Sequence, residues 1–253
     1  MYPTFLRIGD FEITSFGVLV ALGALAGMFV FQRELRRAGL PGDAINAALA
    51  GVLGGLAGAK LIWAIEFHRT APFLDLLLSR GGLSWFGGLA GGLAAGLTTL
   101  RRYRVPLVRG LAAASPGLAL GHAIGRVGCF LVGDDYGSPS TLPWAVAFPK
   151  GLPPTDVPVH PTQLYEAVPL VIIAWLLVRW RRHGVPDAVV LSRYLVLAGA
   201  TRFAIEFVRI NAPVLGPLTL AQLWSIGLIT VGVAFSLWPL ASSRTFPTDK
   251  SST

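Results

Sequence analysis

Apolar runs of membrane-spanning length, separated by short stretches rich in arginine, constrain this chain more than any other feature. A helix needs about 20 mostly apolar residues to cross a bilayer. Seven segments meet or approach that length: 13–32, 44–65, 82–100, 107–130, 163–179, 189–209 and 217–240. The third and fifth are short, and the fourth is long and polar toward its end. Of the 253 residues, 53% are hydrophobic and 13% charged, against roughly 25% charged in an ordinary soluble domain. The expected fold class is therefore all-α, a polytopic membrane protein with seven transmembrane helices.

Orientation follows from where the basic residues fall. Arg33, Arg36 and Arg37 follow the first span, Arg101, Arg102 and Arg104 the third, Arg179, Arg181 and Arg182 the fifth, and Arg244 and Lys250 lie beyond the last. The alternate loops hold Arg7, Arg69, Arg80 and Lys150. Basic loops stay in the cytoplasm, so the N-terminus and the long outer loop 131–162 face outward and the C-terminus faces the cytoplasm. This pattern also accounts for the net charge of +8, and no nucleic acid partner is expected. Residues 1–240 read as one membrane domain, and the Ser- and Thr-rich segment 241–253 as a disordered cytoplasmic tail. No cleavable leader is expected, because the first apolar stretch runs on without a small-residue cleavage site. A single cysteine excludes an internal disulfide, and His68, His122, His160 and His183 show no metal-ligand spacing. No metal and no cofactor are expected.

Within this apolar background a few polar residues stand out. Arg126 lies in the stretch Leu118–Gly133, where a charge costs roughly 2.5–3.5 kcal/mol on insertion scales, and such residues are kept when they pair, face a polar cavity or handle a charged ligand. Gly125, Gly128 and Gly133 thin the helix around it, so a ligand headgroup could approach the backbone. His122, Arg126 and Cys129 share one helical stripe. Cys129 reads first as a small buried residue, although a thiol beside an arginine can be activated. Asp134 and Asp135 follow directly, placed to orient a polyol headgroup, to hold Arg126, or to be solvated. Arg202, Glu206 and Arg209 are spaced to line one face of the sixth span. One glutamate between two arginines leaves surplus positive charge suited to a phosphate, or Arg209 snorkels to the surface. His160-Pro-Thr-Gln-Leu-Tyr-Glu166 opens the fifth span. There Pro161 suits a first helical turn, and Gln163, Tyr165 and Glu166 enter the membrane early. His160 is placed at the outer interface as a proton-exchanging group or an interfacial cap. Lys60 is a further cation within the second span. Gly51–Gly58 and Gly81–Gly92 are glycine-rich, a pattern that serves close helix packing or the walls of a lipid-accessible cavity.

Taken in order, several of these segments resemble the bacterial prolipoprotein diacylglyceryl transferases. Gly125-Arg-Val-Gly-Cys-Phe-Leu-Val-Gly-Asp-Asp-Tyr-Gly137 resembles that family's signature, and His160–Glu166 its motif after the outer loop. Arg202-Phe-Ala-Ile-Glu-Phe-Val-Arg209, Leu220–Ile226 and Gly81-Gly-Leu-Ser-Trp-Phe-Gly-Gly88 resemble its penultimate, final and third spans. The resemblance implies transfer of a diacylglyceryl group from phosphatidylglycerol to the lipobox cysteine thiol of a prolipoprotein at the outer face of the bacterial inner membrane. A thioether forms and glycerol phosphate leaves. The implied partners are phosphatidylglycerol, the prolipoprotein signal peptide and membrane lipids.

By that resemblance Arg126 and Arg202 handle the phosphate, Glu206 positions Arg202, and His160 belongs to the catalytic set. Gly125, Gly128, Asp134, Asp135, Gln163, Tyr165, Glu166, Arg209 and Lys60 contact substrate. The chain departs from the family pattern at several positions. Phe86 stands where the third span carries a histidine, Cys129 and Val132 replace two asparagines, and Asp134 replaces a glutamate. Lys60 replaces an arginine, Phe16 a tyrosine and Ala112 an aspartate. These departures imply an alternative, a non-catalytic relative that binds anionic phospholipid.

Overall fold

The computed structural model describes residues 3–9, 11–79 and 81–242. Arg80, Arg244 and Lys250 of the charge argument lie outside the described residues, as does the expected tail beyond Ser242. In chain order the elements are β1 (Thr4–Ile8), β2 (Phe11–Thr14), α1 (Ser15–Arg37), α2 (Asn46–Glu66), α3 (Phe73–Leu78) and α4 (Trp85–Arg102). Then come α5 (Leu107–Val132), β3 (Val146–Phe148), β4 (Thr155–Val159), α6 (Thr162–Arg182), α7 (Asp187–Ile205), β5 (Pro213–Leu215), β6 (Leu218–Thr219) and α8 (Leu220–Ser242).

A helix stands at each of the seven segments expected from hydropathy. Among the described residues, six are long and apolar enough to cross a membrane: α1, α2 with the 3-10 turn before it, α5, α6, α7 with the 3-10 turn after it, and α8. The chain is a polytopic membrane protein. Helix α4 is not one of the six, because five glycines, two threonines and the terminal Arg101 and Arg102 dilute its apolar content. The all-α expectation also left out three antiparallel two-stranded sheets, β1–β2, β3–β4 and β5–β6. Their strands are too short to show a period of two in the sequence. Helix α8 runs through Ala241 and Ser242, two residues past the expected start of the tail.

The chain divides into two compact units, Met1–Gly23 with Leu118–Thr253, and Ala24–Gly117. In the second, Phe31 and Leu35 pack with Ala44, Ala47, Leu100, Val105 and Ala113. Its helices α2 and α4 meet backbone to backbone. A Cβ added to Gly54 would lie 2.8 Å from the Gly91 carbonyl oxygen, and one on Gly55 3.3 Å from that of Gly88. Gly58, Gly87 and Gly91 each face backbone at closer range still. Of the two uses the sequence left open for these glycines, close helix packing is the one seen, and it needs residues without side chains.

In the first unit, α5 crosses α1 in the same way, a Cβ on Gly23 falling 2.7 Å from the Gly121 carbonyl oxygen. Helix α7 packs along α8, where Gly199 and Gly232 admit the facing turns. Between α5 and α6 the long connecting loop is folded on an aromatic cluster. Tyr136 stacks on Phe148 at 5.5 Å, Phe130 meets Phe148 edge-on, and the Tyr136 hydroxyl donates to the Pro153 carbonyl at 2.8 Å.

Gly91→Ala is expected to force α2 and α4 apart and to destabilise by about 1–3 kcal/mol, the usual cost of overpacking. Gly227→Ala, whose added Cβ would meet nothing within 4 Å, is the control and should unfold like the parent. Thermal unfolding in detergent checks both.

Candidate functional site

The site is assembled at the C-terminal ends of α5 and α7 and the N-terminal end of α6. Helix α5 closes with Gly133 at φ +79°, a left-handed turn that glycine makes without a Cβ clash. Its amide and that of Asp134 both donate to the Cys129 carbonyl. The chain then doubles back over α6, whose first turn holds it. The Thr162 hydroxyl donates to the Asp135 carbonyl at 2.7 Å, and the Gln163 side-chain amide to that of Asp134. Pro161 stands at the N-cap, one position before the expected first helical residue. Gly137 sits where any Cβ would strike Val208, Thr162 and His160.

This backbone brings three arginines and three carboxylates together. Arg126 Nε lies 2.8 Å from Glu166 Oε2, and its Nη1 2.8 Å from Asp135 Oδ2. Arg209 Nη2 lies 2.7 Å from Asp135 Oδ1, while its Nη1 donates to the Asp135 carbonyl at 2.9 Å. Arg202 Nη1 lies 2.6 Å from Glu206 Oε2. The other oxygen of Glu206 accepts from Asn211 and Thr219, each at 2.7 Å. The glutamates are almost wholly buried, whereas the Asp135 side chain is 45% exposed. His122 adds an imidazole whose Nε2 lies 3.5 Å from Glu166 Oε1.

Two expectations change here. Helix α7 stops at Ile205, and Glu206–Val208 continue as a 3-10 turn, the tightening by which a helix end satisfies its last carbonyls. Arg202, Glu206 and Arg209 therefore do not line one continuous α-helical face. Arg209 has extended backbone, ψ 164°, which carries its side chain to Asp135. The surplus positive charge read from the sixth span is also absent. Asp135, far away in sequence, supplies the missing carboxylate to Arg209 and shares it with Arg126.

The pairing is electrostatically close but incompletely bonded. Among the described residues, the buried side-chain polar atoms without an aligned hydrogen-bond partner are Arg126 Nε, Arg202 Nη1, Arg209 Nε, Glu206 Oε2, Gln163 Oε1 and Asp134 Oδ1. Buried polar groups are normally satisfied, and exceptions call for an explanation. Four of the six, Arg126 Nε, Arg202 Nη1, Arg209 Nε and Glu206 Oε2, nevertheless lie in ion pairs, which leaves Gln163 Oε1 and Asp134 Oδ1 as the acceptors open to a polar ligand.

The two adjacent aspartates differ. Burial pushes the Asp134 carboxyl above the ordinary carboxylate range. Burial acts on Asp135 in the same sense, but Arg209 and Arg126 outweigh it and hold its pKa below the ordinary value. Cys129 Sγ and one oxygen from each aspartate lie within 4.8 Å of one another. Asp135 already gives both oxygens to guanidinium groups, so this trio reads as charge pairing and does not fit a cation.

The remaining expected residues fall elsewhere. Gly125 has open space where a Cβ would stand, as ligand approach requires, but Gly128 packs on Leu19 and Phe16 of α1. His160 has no ion pair with the arginines among the described residues. Its Nδ1 lies 3.3 Å from the Tyr165 hydroxyl, which accepts from Trp144 Nε1 at 2.6 Å. Together these side chains line an apolar groove with Leu142, Ile205 and Val208. Lys60 belongs to the other unit, where it donates to the Ser79 and Gly81 carbonyls and to the Ser79 hydroxyl. It also lies 4.6 Å over the Trp63 ring.

Asn211, Thr219 and Gln222 were not anticipated. The last two carried a readable signal. Thr219-x-x-Gln222 is a capping box, in which the Thr219 amide donates to Gln222 Oε1 and the Gln222 amide to Thr219 Oγ1. It fixes the start of α8 and so the hydroxyl that holds Glu206.

The profile of the prolipoprotein diacylglyceryl transferase family matches residues 3–238. The chain belongs to this family. It is 31% identical to the phosphatidylglycerol–prolipoprotein diacylglyceryl transferase of Geobacter sulfurreducens, over 93% of this chain and 94% of the relative. It is 33% identical to that of Nitratidesulfovibrio vulgaris over 96% and 94%, and 32% identical to that of Synechococcus elongatus over 97% and 90%. Membership of the diacylglyceryl transferase family extends over the whole arginine–carboxylate cluster.

Removing Glu206 would strand Arg202 and two further donors. Glu206→Ala is expected to cost about 3 kcal/mol or more, as breaking a buried pair does. Asp135→Asn, at a half-exposed site, should cost far less. Unfolding midpoints in detergent measure the difference.

Proposed function

We propose that this chain transfers a diacylglyceryl group from phosphatidylglycerol to the lipobox cysteine thiol of a prolipoprotein. The observation that carries the reading is the buried arginine–carboxylate cluster with its half-exposed Asp135, in a chain of this family. Relatives bearing the transferase name support the enzyme over a non-catalytic phospholipid-binding protein.

In this reading the lipid phosphate is held by Arg126 and Arg202. The acceptor sulfur attacks the glycerol carbon, the carbon–oxygen bond to phosphate breaks, and negative charge grows on the departing glycerol phosphate. Preorganised cations stabilise that charge most where water is scarce, and a guanidinium presents a planar fork to phosphate oxygens. Glu206, fixed by Asn211 and Thr219, holds Arg202 in place. Glu166 does the same for Arg126. The exposed Asp135 is the carboxylate that the phosphate displaces from Arg126 and Arg209. Gly125, Asp134, Gln163 and Tyr165 contact the lipid, while His160 with Trp144 and Tyr165 forms the outer rim. The roles expected for Gly128 and Lys60 reduce to helix packing and to tying α2 to the following loop.

The same reading takes α4 as a seventh span, kept in the membrane by its packing on α2. The basic loops then set the N-terminus and residues 131–162 outside and the C-terminus inside. Residues 1–242, to the end of α8, form the transferase domain of a bacterial inner-membrane protein, its site toward the outer face, with the chain after α8 on the cytoplasmic side.

The test is turnover. Purified protein in phosphatidylglycerol micelles, given a lipobox peptide, is expected to yield a diacylglyceryl-modified cysteine by mass spectrometry and to release glycerol phosphate. Arg126→Ala should abolish both, and Cys129→Ser should leave both near the parent rate. Phosphatidylglycerol binding without any product, beside an active family enzyme, would refute the transferase reading. Full turnover by Arg126→Ala would refute the site.

A further inference from the structure

A thiol has an ordinary pKa near 8.5, and the thiolate is the nucleophile. At neutral pH the acceptor cysteine must therefore lose a proton as it attacks. The groups already assigned to phosphate are poor acceptors. Guanidinium has no proton-accepting atom. Glu166 and Glu206 are each committed to an arginine, and Asp135, once phosphate displaces it, is as a carboxylate a weaker base than an imidazole.

Among the histidines, His68 turns its Nδ1 to the Ile65 carbonyl in the other unit. His183 follows the last turn of α6, at the opposite end from the cluster. His160 faces Tyr165 and the apolar groove. His122 differs from all three. It stands one helical turn before Arg126 on the same face of α5, a spacing of about 5–6 Å between Cβ atoms. Its Nε2 lies 3.5 Å from Glu166 Oε1, and the second oxygen of the same carboxylate lies 2.8 Å from Arg126 Nε. Its side chain is 48% exposed, and Nδ1 has no hydrogen-bond partner among the described residues.

We propose that His122, oriented by Glu166, takes the proton of the acceptor thiol. This rests on the transferase reading above. A single carboxylate then sets both halves of the site: one oxygen positions the arginine that holds phosphate, and the other positions the imidazole that activates sulfur. Nε2 faces Glu166 as an ion-pair partner at 3.5 Å, and with the proton on Nε2 the open Nδ1 is the accepting atom. In the step, the S–H bond breaks and its proton passes to His122 Nδ1. The S–C bond forms, the C–O bond to phosphate breaks, and glycerol phosphate leaves with that electron pair. The departing phosphate then carries the proton away. One turn of helix between base and phosphate ligand leaves room for sulfur and the attacked carbon, which approach to about 3–3.5 Å before reaction.

The charged groups acting on His122 are Glu166 from α6, Arg126 from its own helix and Arg202 from α7. The competing acceptor is Asp134, whose Oδ1 is unpartnered.

The experiment is a pH series of turnover with lipobox peptide and phosphatidylglycerol, for the parent, His122→Gln and Asp134→Asn. At pH 7, His122→Gln is expected to lose about a hundredfold or more in kcat, the usual contribution of a general base, with KM for phosphatidylglycerol within about threefold of the parent. As the pH rises past the thiol's own pKa, the substrate supplies its own thiolate, and the deficit should shrink at least tenfold. His122→Ala should regain turnover with added imidazole. A deficit constant across pH and unmoved by imidazole would make His122 merely structural and overturn the proposal. So would full activity in His122→Gln, or a pH-dependent rescue confined to Asp134→Asn. No turnover by the parent would instead be the failure of the transferase reading itself.

Discussion

Arg126 sets the terms for the rest of the structure. A guanidinium on a membrane helix cannot shed its proton and cannot be left alone, so the surrounding elements are arranged to answer it. Glu166 comes from the first turns of α6 and Asp135 from the turn after α5, each at 2.8 Å. Asp135 in turn meets Arg209, and the turn that contains Arg209 begins with Glu206, the partner of Arg202. Three helices and the loop between α5 and α6 are thus tied through one alternating series of charges. Removing a buried member leaves its partner uncompensated, which costs more than the pair contributes.

Such an arrangement also explains how a fixed cluster can take up an anionic ligand. A site with three unpaired arginines would be costly to hold in an apolar bundle, and one with fully bonded pairs would have nothing to offer. The cluster is between these limits. Its charges balance, yet the buried acceptors Gln163 Oε1 and Asp134 Oδ1 are left without a hydrogen bond, and one carboxylate, Asp135, is half exposed. Its two arginine partners keep that carboxyl ionised in spite of burial, so an incoming phosphate meets a charge it can replace.

The departures from the family pattern take on physical meaning in this setting. Val132 is buried and apolar, and Cys129 is buried with its sulfur 3.8 Å from Arg126 Nη1. Neither offers the amide that asparagine would, and beside Cys129 the polar atoms come from Arg126, Asp134 and Asp135. Gly128 serves the crossing of α5 over α1, with Leu19 and Phe16 against it.

Much of the fold was legible along the chain, because a bilayer requires long apolar helices and hydropathy reads them directly. Each helix long enough to span lies at an expected segment, and the short sheets were missed because strands of two to five residues leave no periodic trace. The polar residues of the site were legible one by one for the same reason: a charge in an apolar run is conspicuous. Their partnerships were not. Helical spacing joined Arg202, Glu206 and Arg209, and Glu206 does meet both arginines, but α7 ends at Ile205 and the nearer partner of Arg209 is Asp135, 74 residues away in sequence. The resemblance set His160 in the catalytic group, and the fold directs its Nδ1 toward the Tyr165 hydroxyl. Sequence alone determined a bundle of membrane helices carrying buried arginines, since both follow from the local cost of placing residues in lipid. Which carboxylate answers which arginine was decided by tertiary structure, because ion pairs depend on distances of a few ångströms between elements that chain order does not specify.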